Sequence, residues 1–152
     1  MRCYICGITA KDFNDLSKRK EKNIQAVSFG LSILHDRIRF FESLLHLAYK
    51  LSIIKWRLTS AEDKEIHAET KKRIQEPFKV ELGLLVDIAK ADFGNTNDGN
   101  TSRRFFQDPE ISARITGIDV TLIERFKVIL EALSSEHMID VEKFSAYASE
   151  TA

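Results

Sequence analysis

The sequence predicts an all-α protein, an irregular helical bundle, and three observations carry that expectation. Apolar residues recur at alternating steps of four and three from Val27 to Ala48. Several other apolar runs are bracketed by cap residues. No segment alternates apolar and polar side chains at the period of two that a half-buried strand requires. At 152 residues and 43% hydrophobic content the chain is long enough for one domain with a core and too short for two comfortable ones. The expected division is a cysteine-bearing start with a basic linker, residues 1–22, and a helical domain, residues 23–152.

The first helix is expected to place Val27, Leu31, Leu34, Ile38, Phe41, Leu45 and Ala48 on one face, with Phe40, Leu44, Leu47 and Leu51 widening the stripe. That width marks a central core element. Ser60, followed three residues later by Asp63, resembles a capping box opening the charged segment AEDKEIHAETKKRIQE. Its sparse apolar positions, Ile66 and Ile74, predict a mostly solvated helix, and Pro77 is expected to interrupt or kink it. Beyond FKVELGLLVDI, the residues Gly94, Asn95, Asn97, Asp98, Gly99 and Asn100 all favour turns or left-handed backbone. A short helix from about Thr101 follows, capped by Asn100, with Arg103 and Arg104 in its first turn and Phe105 and Phe106 plugged into the core. Another helix opens at Pro109 and stops at Gly117. A longer one is capped by Asp119 and carries Leu122, Phe126, Ile129, Leu130 and Leu133 on its face. The last is capped by Asp140; with no C-cap signal in FSAYASETA, the sequence is expected to stop in mid-helix.

Net charge is zero, but it is unevenly spread. Residues 1–57 carry eleven Lys/Arg against five Asp/Glu, and residues 58–152 carry twelve against eighteen. The N-terminal part is therefore the side expected to meet an anion, although solvated helix faces produce similar imbalances. Apolar residues never run unbroken for the ~18 positions of a membrane span, and MRCYICG lacks the apolar core of a secretory signal. An intracellular location, in cytosol or nucleus, and no membrane partner are expected.

Cys3 and Cys6 form a C-x-x-C followed by Gly7, the shape of a zinc knuckle, in which two thiolates converge on one metal and glycine lets backbone N–H groups approach the sulfurs. A redox pair would require a strand before the first cysteine, and only Met1 and Arg2 precede it. Two thiolates are half of a four-coordinate site. His35, His46, His67 and His137 are spaced singly, without the H-x₃₋₅-H pair that would complete it. His35 and His46 stand about 16 Å apart on an ideal helix and cannot share one metal. No carboxylate pair, Ser/His/Asp set or phosphate-cradling glycine loop is defensible, so no catalytic residue is assigned. Two guanidiniums in a helix's first turn oppose its dipole, which a phosphate there would relieve; pairing of Arg103 or Arg104 with a local acid is the bland alternative.

CYICG at 3–7, LHDRIRFFE at 34–42, FGNTNDGNTSRRFF at 93–106 and ITGID at 115–119 together resemble the helical insertion of the Transib-type transposases, the DDE family that includes the catalytic subunit of the V(D)J recombinase. The resemblance spans essentially the whole chain. Its most specific part is N-G-N-x-x-R-[RK], present here as N-D-G-N-T-S-R-R with Asp98 inserted before the glycine. The family cuts and joins DNA with three carboxylates on an RNase H-like fold. By resemblance, this chain is the insertion domain without the nuclease core, inactive alone, with Cys3 and Cys6 contributing half of a zinc site. The resemblance further implies DNA as partner through Asn100, Arg103 and Arg104, His35 near the active site, a nuclear location and a homodimer. The alternative function is a decayed or reused helical bundle that mediates protein contacts without nucleic-acid activity.

Overall fold

Phe41, Leu44, Leu45 and Ala48 are buried along one face of a helix, α1 (Ile33–Ala48). The computed structural model describes residues 7–9, 11–12, 15–18, 25, 32–53, 60–91 and 94–151. It divides into two units, residues 1–32 and 33–152. In the first, Asp12 accepts from Thr9 Oγ1 at 2.7 Å and pairs with Lys18 Nζ at 2.8 Å, ahead of and across a 3-10 turn at Leu16–Lys18. Val27 and Leu31, on the expected first stripe, lie outside the described residues.

The second unit continues with α2 (Ala61–Leu82), a two-residue hairpin of β1 (Ala89–Lys90) and β2 (Gly94–Asn95), then α3 (Gly99–Gln107), α4 (Pro109–Thr116), α5 (Val120–Ser134) and α6 (Val141–Thr151). Six helices and one minimal antiparallel hairpin make the described residues mostly helical, as expected from the periodicity. The hairpin departs from the all-helical expectation. It is held by Thr96 and Asn97 as much as by its ladder, so the sequence carries no strand-like alternation to mark it.

Caps decide most of the boundaries. Ser60 accepts from the Asp63 N–H at 3.0 Å and opens α2, and Gly83 closes it in the left-handed region at φ 61. Of the two outcomes expected at Pro77, an interruption or a kink, the interruption does not occur: α2 runs through it. The proline removes one i→i−4 hydrogen bond, but Ile74 and Phe78 anchor the helix in the core on either side of it. Burying each such side chain contributes about 1.5–3 kcal/mol, enough to hold the turn across the missing bond. Asp108 and Gly117 bracket α4, Asp119 opens α5, and Asp140 accepts from the N–H groups of Glu142 and Lys143 at 3.1 Å to open α6.

At the core, Phe105 is fully buried, with ring centroids 5.0 Å from Phe41, 5.8 Å from Phe78 and 5.1 Å from Phe106. Such tilted and edge-on aromatic pairs add about 0.5–1.5 kcal/mol each beyond their area. Leu84, Val86, Ile118, Ile123 and Leu130 complete the cluster. The buried part of the expected stripe is narrower than its periodicity: Leu34 and Leu47 on α1, and Leu51 beyond its end, are exposed, while Phe41, Leu44, Leu45 and Ala48 are buried. On α5, Ile123, absent from the expected face, is fully buried, as is the expected Leu130, while Leu133 is exposed.

Candidate nucleic-acid interface

The segment from Val86 to Gln107 is best understood one side chain at a time. The chain leaves α2 and turns at Asp87, whose φ of 51 is in the left-handed region. Of the residues from Gly94 to Asn100 expected to bend the chain, only Gly94 has a positive φ. The asparagines instead act through their side chains. Asn97 Oδ1 accepts from the Asp87 N–H at 2.7 Å, Thr96 Oγ1 from the Ile88 N–H at 3.0 Å, and Asn95 Nδ2 donates to Asp87 Oδ1 at 3.3 Å. Gln75 donates to the Val86 and Asp87 carbonyls, and Lys71 Nζ pairs with Asp87 Oδ2 at 2.5 Å. With Thr96 and Asn97 both buried, this lattice satisfies backbone groups that no regular ladder could reach.

Asp98, not Asn100, is the N-cap of α3. Its carboxylate accepts from the Thr101 N–H at 2.9 Å, and that bond chiefly holds its pKa below the usual aspartate value. The cap moves the helix start to Gly99. A Cβ at Gly99 would stand 2.3 Å from Leu34 Cδ1, so the glycine lets α3 lie close against α1. Arg103 consequently falls at the middle of a nine-residue helix and Arg104 just past it. The expectation that they oppose the dipole in a first turn is corrected: Arg104 sits in the last turn, where the dipole favours a cation.

Both arginines are exposed, and Phe105 and Phe106 behind them are buried. Asn100 Oδ1 accepts from Arg103 at 3.2 Å, and Arg104 donates to the carbonyl of Leu82, the last residue of α2. Neither arginine pairs with a carboxylate of the described residues. Asn100, Arg103 and Arg104 line one open groove of about 610 Å³ together with Arg37 of α1 and Lys127 and Glu131 of α5. Arg37 donates to Ser134 Oγ at 3.0 Å and Lys127 to the Gln107 carbonyl at 3.4 Å. Phe106 and Leu130 form its floor.

Four cations from three helices thus face one acid, and none of the four has a carboxylate of the described residues within 4 Å. Such a groove attracts a polyanion at long range and offers N–H donors at close approach. Local sequence does not reveal Arg37 and Lys127 as part of it. Arg37 belongs to the basic N-terminal portion, which is a general hint; Lys127 lies in the acidic portion, and only the packing of α5 beside α3 brings it in.

His35, exposed on the first turn of α1, is not among the residues lining the groove. Cys3 and Cys6 lie outside the described residues. Among the described residues no group of three or more His, Cys, Asp or Glu side chains is placed to hold a metal ion. Nothing in the sequence signals a polar cluster on the other side of α1. There the Tyr49 ring is buried, its hydroxyl has no hydrogen-bond partner among the described residues, and the His67 ring lies 5.7 Å away. Burial pushes the tyrosine pKa up and the histidine pKa down. No described helix is long and apolar enough to cross a membrane. Comparison with known proteins finds no matching family model and no matching curated protein.

Proposed function

We propose that this chain is the DNA-binding, zinc-associated insertion domain of a Transib-like DDE transposase, acting in the nucleus as part of a homodimer and without nuclease activity of its own. One observation supports the reading most: Asn100, Arg103 and Arg104, the residues of the N-G-N-x-x-R-[RK] motif, meet in a groove whose cations have no carboxylate partners among the described residues. In this reading the guanidiniums bind backbone phosphates, which position a protein without reading base sequence. Asn100 braces Arg103 for that role. Cys3 and Cys6 supply two thiolates to a zinc ion whose remaining ligands are solvent or come from another chain. His35 keeps a place near the reacting DNA by resemblance alone.

A second reading, a helical bundle that mediates protein contacts without nucleic-acid activity, draws on the Arg104 bond to the Leu82 carbonyl, which gives that arginine a role within the fold.

Salt titrations of duplex binding by the intact chain and by the Arg103→Ala/Arg104→Ala variant separate the two. The DNA reading expects weaker binding to every sequence and a log–log salt slope flatter by roughly 1.8, about 0.9 for each phosphate that is no longer neutralised. A variant that melts early while its folded fraction binds as before makes the arginines structural and favours the second reading. Metal titration tests zinc: weak, chelator-sensitive binding that disappears with Cys3→Ser is expected. Incubation with Mg²⁺ or Mn²⁺ and a terminal-repeat substrate is expected to give no nicking, and nicking abolished by Asp36→Asn or Asp87→Asn would reverse that assignment.

A further inference from the structure

Arg37, within LHDRIRFFE, and Lys127, in no motif, lie outside the N-G-N-x-x-R-[RK] element, yet they stand on the α1 and α5 walls of the groove whose third wall, α3, carries Arg103 and Arg104. Their anchoring is of one kind. Each gives a single hydrogen bond to a neutral oxygen, Arg37 to Ser134 Oγ and Lys127 to the Gln107 carbonyl. A guanidinium has five N–H donors and an ammonium three, so four and two donors remain. The bonds therefore restrain the side chains without neutralising them or using up their donors. Elsewhere in the same unit some cations are neutralised instead: Arg114 is paired with Glu81, Arg125 with Glu150 and Lys71 with Asp87. Glu131 is the groove's one acid, and it too lacks a cationic partner within 4 Å among the described residues.

Resting on the DNA reading above, we infer that Arg37 and Lys127 form a second phosphate-binding pair, so that the groove grips a nucleic-acid backbone from facing walls and Glu131 sets a limit on how tightly. Facing pairs neutralise more than one phosphate along a strand. The salt dependence of the intact chain then reflects about four neutralised phosphates, a slope near −3.6 at roughly −0.9 for each, where the motif alone accounts for about two.

The test uses the intact chain and short duplexes of unrelated sequence. Arg37→Gln/Lys127→Gln is expected to flatten the slope by about 1.8 with no sequence preference. Arg37→Lys, which keeps the charge, should leave the slope unchanged. Glu131→Gln should tighten binding about two- to fivefold without altering the slope, because it removes repulsion and neutralises no further phosphate. A gain in affinity does not arise from misfolding, so this variant stays informative if the glutamine pair lowers the melting temperature. If the Arg103/Arg104 variant flattens the slope and the Arg37/Lys127 variant does not, this inference is overturned and the DNA reading stands. If neither does, both fall. Unchanged or weakened binding by Glu131→Gln also counts against the facing-wall arrangement.

Discussion

Cations are handled in two ways within the helical unit. Around the turn after α2, Lys71 reaches Asp87, and Arg114 reaches back to Glu81 in a two-pronged pairing, so charge is answered by charge. In the groove between α1, α3 and α5, Arg37, Arg103, Arg104 and Lys127 are held by a hydroxyl, an amide oxygen and two carbonyls. Neutral acceptors fix geometry and leave positive potential in place, whereas carboxylates fix geometry and cancel it. The first arrangement suits a fold, and the second suits a ligand. Two of the groove's anchors, Arg104 on Leu82 and Lys127 on Gln107, also satisfy the terminal carbonyls of α2 and α3, so the same side chain serves helix end and groove.

Breaking the core that both regions share should have the largest effect. Phe105→Ala removes a fully buried ring packed against three others, and is expected to cost about 3–5 kcal/mol in denaturant unfolding. A loss under about 1 kcal/mol would mean the aromatic cluster is not what positions α3. Next is the paired side. Lys71→Met strips Asp87, whose side chain is only 15% exposed, of its cation, and about 1–3 kcal/mol is expected, with DNA affinity per folded molecule unchanged. A changed salt slope in this variant would erase the distinction between the two regions.

Asp98→Ala comes third. Loss of the N-cap should destabilise α3 by about 1 kcal/mol. Because the Thr101 N–H lowers the folded-state pKa of Asp98, the cap's contribution is fully present above the ordinary aspartate value of 3.8 and is lost as pH falls through the lower, folded value. Melting curves of the two proteins should accordingly converge in strong acid, and a difference that persists there would point to a cause other than the ionised cap. The smallest effect belongs to Arg114→Ala. Its pair with Glu81 is largely exposed, so unfolding should barely change, and the salt slope of DNA binding should not change at all. That last measurement sharpens the comparison most directly, since Arg114 carries the same charge as Arg103 in a different setting.

The sequence by itself determined the helical class and most helix ends. Ser60, Pro109, Gly117, Asp119 and Asp140 act locally, through bonds to backbone groups within a turn of themselves, and need no partner from elsewhere. It also marked Asn100, Arg103 and Arg104 as a group, because their spacing is within one short helix. Tertiary structure decided what periodicity could not. The apolar positions of α1 repeat on more faces than neighbours bury, so Leu47 is indistinguishable in sequence from Leu44 and Leu45. Pro77 stays helical because of anchors supplied by the rest of the core, and Asp98 takes the cap expected of Asn100, whose side-chain oxygen accepts from Arg103 instead. Lys127, far along the chain from Asn100, enters the groove only because α5 packs beside α3. Local hydrogen bonding is written in neighbouring residues; a charged groove is a property of which helices meet, and no single stretch of chain contains it.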